Sequence, residues 1–116
     1  MITKRIVVGA GYGQRDWLAQ RFTAVTLGVY TLVLLGRLVA LPELDYGSWA
    51  GVFASRWMKV LTLVALLALA WHAWVGVRDI FMDYIKPTGL RFFLLIATIV
   101  ALAGYALWAI MILWSV

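Results

Sequence analysis

The chain has 116 residues, 66% of them hydrophobic, with a formal charge of +5 and no cysteine. A soluble domain is about half apolar, so lipid is the solvent this composition points to, and the length leaves room for one small unit. The missing cysteines exclude disulfides, iron–sulfur ligation by this chain and covalent c-type haem attachment. The basic residues gather at the ends of apolar runs and form no stripe, a membrane pattern that argues against nucleic acid.

Residues 1–20 read as a retained cytoplasmic leader. It opens with Lys4 and Arg5, has too short an apolar part for a signal-peptide core, and runs into Gln14-Arg15-Asp16. Gly9-x-Gly11-x-Gly13 after Ile6-Val7-Val8 looks like a dinucleotide-binding turn. The spacing is not G-x-G-x-x-G, and neither a βαβ unit nor a ribose-binding acid follows. Asp16, near the membrane surface, is expected to be solvated.

Residues 21–116 read as a three-helix membrane domain. The first apolar run is Phe22 to Leu41, interrupted only by Arg37 and ended by Pro42; about 20 helical residues span about 30 Å, the thickness of the hydrocarbon core. Arg37 lies close enough to the outer end of this span (about 22–41) to snorkel. The second run, Val60 to Val77, gives a span at about 58–78, with a helix expected to start as early as Trp49 and with Arg56 and Lys59 at the interface. The third run, Phe92 to Val116, gives a span at about 91–115, introduced by Pro87-Thr88-Gly89 and Arg91. Each is predicted α-helical, because an isolated strand leaves backbone groups unpaired in lipid. The fold class is therefore all-α integral membrane, with three transmembrane helices.

Lys and Arg set the orientation. Lys4, Arg5, Arg15 and Arg21 in the leader and Arg78, Lys86 and Arg91 in the second connection outweigh Arg56 and Lys59 in the first. The amino terminus and the second connection are expected inside and the carboxyl terminus outside.

His72 is the one histidine, and it lies within the second apolar run. An ionisable group at membrane depth is a functional-site hypothesis by default. Two readings stand: an imidazole hydrogen-bonded to a neighbouring helix, or an axial ligand to haem iron through Nε2. In the second reading, Nδ1–H is expected to donate to the Ala68 carbonyl, and the other axial ligand comes from another chain. Gly76, one turn on and on the same face, would leave room for the macrocycle edge. Trp71 and Trp74 flank His72 as packing or lipid-facing groups.

His72, Gly76, Asp79 and Asp83 share one face of a continued helix. Asp83, Tyr84 and Lys86 then fall at the inner interface. They read either as an ordinary anchor or as a quinone pocket, in which the Tyr84 phenol donates to a quinone carbonyl and Asp83 orients water or relays protons. Arg21 opens the first span at the same face and could pair with a haem propionate or a lipid phosphate.

These residues resemble a known family. His72-Ala73-Trp74-Val75-Gly76-Val77-Arg78-Asp79, followed by Asp83-Tyr84-Ile85-Lys86-Pro87, is similar to the signature of the hydrophobic membrane anchor (D) subunit of bacterial succinate dehydrogenase. Arg21-Phe22-Thr23-Ala24-Val25-Thr26 and Phe53-Ala54-Ser55-Arg56-Trp57-Met58-Lys59 are similar too, and the resemblance covers residues 14–116.

It implies the membrane anchor of succinate:ubiquinone oxidoreductase in a bacterial inner membrane, as part of a heteromeric helical bundle. The implied partners are a cytochrome b anchor subunit, an iron–sulfur subunit and a flavoprotein, with FAD and the iron–sulfur clusters in those partners only. A haem b would be shared with the second anchor. His72 would be its axial ligand on this chain, Tyr84 and Asp83 would bind ubiquinone, and Arg21 would lie near the propionates. No catalytic residue is expected in this chain alone. The alternatives are an anchor of a quinol:fumarate reductase and a non-catalytic assembly or small transport protein. A small multidrug exporter has four spans and an acid inside the first; this sequence has three spans and no acid inside any.

Overall fold

The structure, a computed structural model, describes residues 12–116. Lys4, Arg5, Gly9 and Gly11 lie outside the described residues, as does most of the glycine-rich turn. Four helices follow in order: α1 (Tyr12–Val39), α2 (Tyr46–Ala54), α3 (Arg56–Tyr84) and α4 (Thr88–Trp114). Among the described residues there is no strand. The helices α1, α3 and α4 are each long and apolar enough to cross a membrane, as the sequence predicts.

Two boundaries differ from expectation. The helix α1 has 28 residues and begins well before Phe22, so it runs unbroken through the point where a leader would give way to a span. At 1.5 Å per residue it is about 42 Å long, some 10 Å more than the hydrocarbon core. Its polar first turns, with Gln14, Arg15, Asp16, Gln20 and Arg21, therefore extend toward the headgroups.

The second difference is at Ser55. The second span does not reach back to Trp49; a separate nine-residue helix precedes it. Ser55 is extended (φ −70°, ψ 146°), and its Oγ accepts from the Met58 N–H at 3.2 Å, which caps α3. A side chain able to satisfy an orphan N–H favours a helix start there over a continuous helix. Asp45 caps α2 in the same way, its Oδ1 accepting from the Ser48 N–H at 2.8 Å. That bond holds the Asp45 carboxyl below the usual carboxylate range.

The helix α3 continues to Tyr84, and the Ile85 N–H closes its last turn on the Phe81 carbonyl at 3.0 Å. Pro87 then disfavours helix at Lys86 and stands at the N-cap of α4.

The hub is α3: α1 and α4 both pack on it, and α2 lies against its N-terminal part. The buried residues are mostly small. Ala19, Ala65, Ala68 and Val75 line the α1–α3 contact, with Met58, Val52 and Leu113 toward the N-terminal end of α3. Leu32 is 72% exposed and Met111 71%. Such surface suits lipid, where apolar side chains gain nothing by clustering and close backbone approach at small residues holds helices together. Hydroxyls in the spans are satisfied locally: Thr26, Thr31 and Thr98 each donate to the carbonyl one turn earlier, at 2.9, 2.8 and 2.8 Å. One interhelical bond, Tyr30 Oη to Thr62 Oγ1 at 2.7 Å, adds to the α1–α3 seam.

Candidate functional site

His72 sits near the middle of α3, about 9 Å by helical rise from Arg78 on its C-terminal side. Its ring is part-buried and meets α1: Thr23 Oγ1 lies 2.9 Å from His72 Nδ1. Thr23 is 1% exposed, and its hydroxyl donates back to the Ala19 carbonyl at 2.6 Å. The expected bond from Nδ1 to the Ala68 carbonyl is not formed. That carbonyl takes the His72 backbone N–H in the helix ladder, and the neighbouring hydroxyl offers the ring a better-directed partner. Nε2 makes no hydrogen bond to the described residues. The two sequence readings of His72 are thus compatible, since the bond to a neighbouring helix uses one ring nitrogen and leaves the other.

Among the described residues no three His, Cys, Asp or Glu side chains converge, so a metal at His72 would take one protein ligand from this chain. A haem iron with a second axial ligand from elsewhere fits that donor set. Gly76 faces α1, where a Cβ would lie 3.6 Å from Gln20 Nε2. The space its missing side chain leaves is bordered by Gln20, whose Oε1 is buried and unpartnered.

Toward the C-terminal end of α3, Asp16 stays partly exposed and also gains a partner. Its Oδ2 pairs with the Arg78 guanidinium across the α1–α3 seam. Arg78 also lies 5.9 Å from the Trp74 ring centroid and 4.0 Å from Asp79. One cation therefore ties three groups at the membrane surface. Trp71 is exposed.

Tyr84 ends α3 with 76% of its surface exposed, and Asp83 beside it is exposed. The helix does place His72, Gly76, Asp79 and Asp83 on one face, within about 60° of rotation, while Tyr84 is turned about 120° from His72. His72 and Tyr84 are separated by about 18 Å along the axis, so this chain holds them as two stations at different depths. Arg21 is not brought to His72. It precedes Thr23 by two residues, roughly 200° around α1, and its guanidinium stacks over Trp17 at 5.1 Å.

Sequence reasoning gave no role to Thr23, Gln20 or the Asp16–Arg78 pair. A signal was available for the first: Ala19 and Thr23 repeat at i, i+4, the small-residue spacing of a close helix contact.

A profile of the family described as succinate dehydrogenase/fumarate reductase transmembrane subunit matches residues 3–114. The succinate dehydrogenase hydrophobic membrane anchor subunit of Coxiella burnetii (strain RSA 493 / Nine Mile phase I) is 37% identical over 102 residues, covering 88% of this chain and 89% of that protein.

Proposed function

Since the chain belongs to the family of succinate dehydrogenase/fumarate reductase transmembrane subunits, we propose that it is the hydrophobic anchor of a succinate:ubiquinone oxidoreductase and that His72 would help to hold a shared haem b. The observation that carries the haem reading is the lone imidazole of α3, part-buried at membrane depth, with Nδ1 engaged by Thr23 and Nε2 without a bond to the described residues. A partner cytochrome b anchor would supply the remaining protein ligand. The flavoprotein and iron–sulfur subunits dock on the cytoplasmic side, where Arg15, Arg21, Lys86 and Arg91 lie if the amino terminus faces inward.

Succinate gives up two electrons and two protons on the flavoprotein to become fumarate, and ubiquinone takes up two electrons and two protons to become ubiquinol. When bound, the haem would supply a one-electron carrier. His72 would hold that group through Nε2, whose donor strength would tune its potential. The Tyr84 phenol donates a hydrogen bond to a quinone carbonyl and so polarises it. Asp83 holds a proton or a water within reach of that oxygen. Exposure of both at the helix end lets a lipid-soluble quinone arrive sideways from the bilayer. Arg21, facing away from α3, pairs with an anion presented by a neighbouring subunit or by lipid.

The test is a His72→Ala complex. Its reduced-minus-oxidised spectrum should lose or shift the b-type bands, and an unaltered spectrum in the purified complex excludes axial ligation. Comparing succinate oxidation by quinone with fumarate reduction by quinol in the same preparation separates this assignment from the fumarate reductase direction.

A further inference from the structure

We infer that Thr23 is a positioning residue for the iron ligand: its hydroxyl fixes His72 in the Nδ1–H tautomer and presents Nε2 as the electron-pair donor. This rests on the reading of His72 as an axial ligand and adds the group that sets its protonation, ring angle and donor strength.

The argument is a count of protons. A threonine hydroxyl has one hydrogen to give. The Ala19 carbonyl, 2.6 Å away, can only accept, so the hydrogen goes there; the Gln20 carbonyl, at 3.3 Å, is a weaker competitor for the same proton. Toward His72, Oγ1 is then an acceptor. At 2.9 Å it needs a hydrogen on Nδ1, because the other tautomer sets lone pair against lone pair at a hydroxyl that is itself buried. A neutral imidazole protonated at Nδ1 carries its lone pair on Nε2.

The anchor is rigid as well as correctly charged. Threonine is β-branched and stiff at χ1, its hydroxyl is tied to its own helix, and the residue is 1% exposed. Ala19, Ala68 and Val75, all buried around this contact, let α1 approach closely enough for the bond. Donation from Nδ1–H also strengthens Nε2 as an electron-pair donor, which would favour the oxidised iron and lower its potential.

Thr23→Val keeps the shape and removes the hydroxyl, Thr23→Ala removes both, and Thr23→Ser keeps the hydroxyl. Each is purified as the whole complex, and three quantities are read: haem per complex, the low-spin electron paramagnetic resonance g-values, and the haem midpoint potential. The hydroxyl-free variants should bind haem about 10-fold or more weakly, with shifted g-values and a raised potential, and Thr23→Ser should restore all three. Wild-type g-values and potential in either hydroxyl-free variant overturn the inference.

If neither hydroxyl-free variant assembles, the wild-type complex with labelled histidine decides by pulsed resonance in H2O and D2O. An exchangeable, hydrogen-bonded proton on the remote nitrogen of His72 upholds the inference, and its absence overturns it. His72→Ala separates the two levels. Loss of the b-type spectrum there, with Thr23 variants unchanged, removes only the role of Thr23; a retained spectrum removes the axial-ligand reading and this inference with it.

Discussion

Replacing Tyr84 by Phe isolates one hydroxyl. The side chain is 76% exposed and makes no hydrogen bond to the described residues, so its loss leaves no buried partner stranded in this chain. Tyr and Phe also have similar helix propensities, and α3 should keep its end. Any change in turnover then belongs to what the phenol does for quinone. A neutral hydrogen bond contributes about 0.5–1.5 kcal/mol, so pure positioning predicts a drop of roughly 2- to 13-fold in kcat/KM for quinone. If the phenol also delivers a proton, the drop should reach about 100-fold or more. The assay is the ratio of succinate:quinone turnover to succinate oxidation with an artificial soluble acceptor in the purified complex. The ratio should fall while the second rate holds. An unchanged ratio would refute the proposed quinone role of Tyr84 and the reasoning that an exposed phenol at the C-terminal end of α3 is there to meet a lipid-borne substrate.

Three further outcomes follow from the seam between α1 and α3 and from the first connection. Tyr30→Phe removes the 2.7 Å bond to Thr62 and should cost about 0.6 kcal/mol, with a double-mutant cycle against Thr62→Val measuring the coupling in the thermal denaturation of the complex and the haem spectrum unmoved. Asp16→Asn leaves Arg78 without its carboxylate; because the pair is partly exposed (29% and 35%), the coupling with Arg78→Gln should be about 0.2–1 kcal/mol and shrink at high salt. The Asp45 carboxyl is held below its ordinary range, so its capping contribution is complete above the unfolded value and disappears as pH falls through the lower folded value. Hydrogen-exchange protection at Ser48 should therefore persist at neutral pH and fall only under strong acid, and Asp45→Asn should flatten that dependence.

Much of the architecture could be read from the chain because lipid removes alternatives. A run such as Val60 to Val77 has to be helical to satisfy its backbone, and α1, α3 and α4 lie where the apolar runs put them. The shared face of His72, Gly76, Asp79 and Asp83 followed from helical period alone once α3 was known to continue to Tyr84. The helix ends were less legible. Starting a helix at Tyr12 needs no apolar residue, only neighbours that tolerate one, and the break at Ser55 depends on a cap that hydrophobicity does not register. What remained hidden was pairing across helices. Nothing in the order of residues says that the hydroxyl of Thr23, and not that of Thr26, faces an imidazole 49 positions away, or that Asp16 meets Arg78. Those contacts depend on the relative rotation of α1 and α3, which the packed alanines set.

The hub arrangement of α3 has a consequence for the life of the polypeptide in a cell. With so few residues shielded, an unaccompanied copy has little to hold its helices in register and no counterpart to complete its faces. Its abundance should then track that of the subunits that cover it: surplus copies become orphans cleared by membrane proteolysis, and the stoichiometry of the assembly is enforced by destruction of the excess.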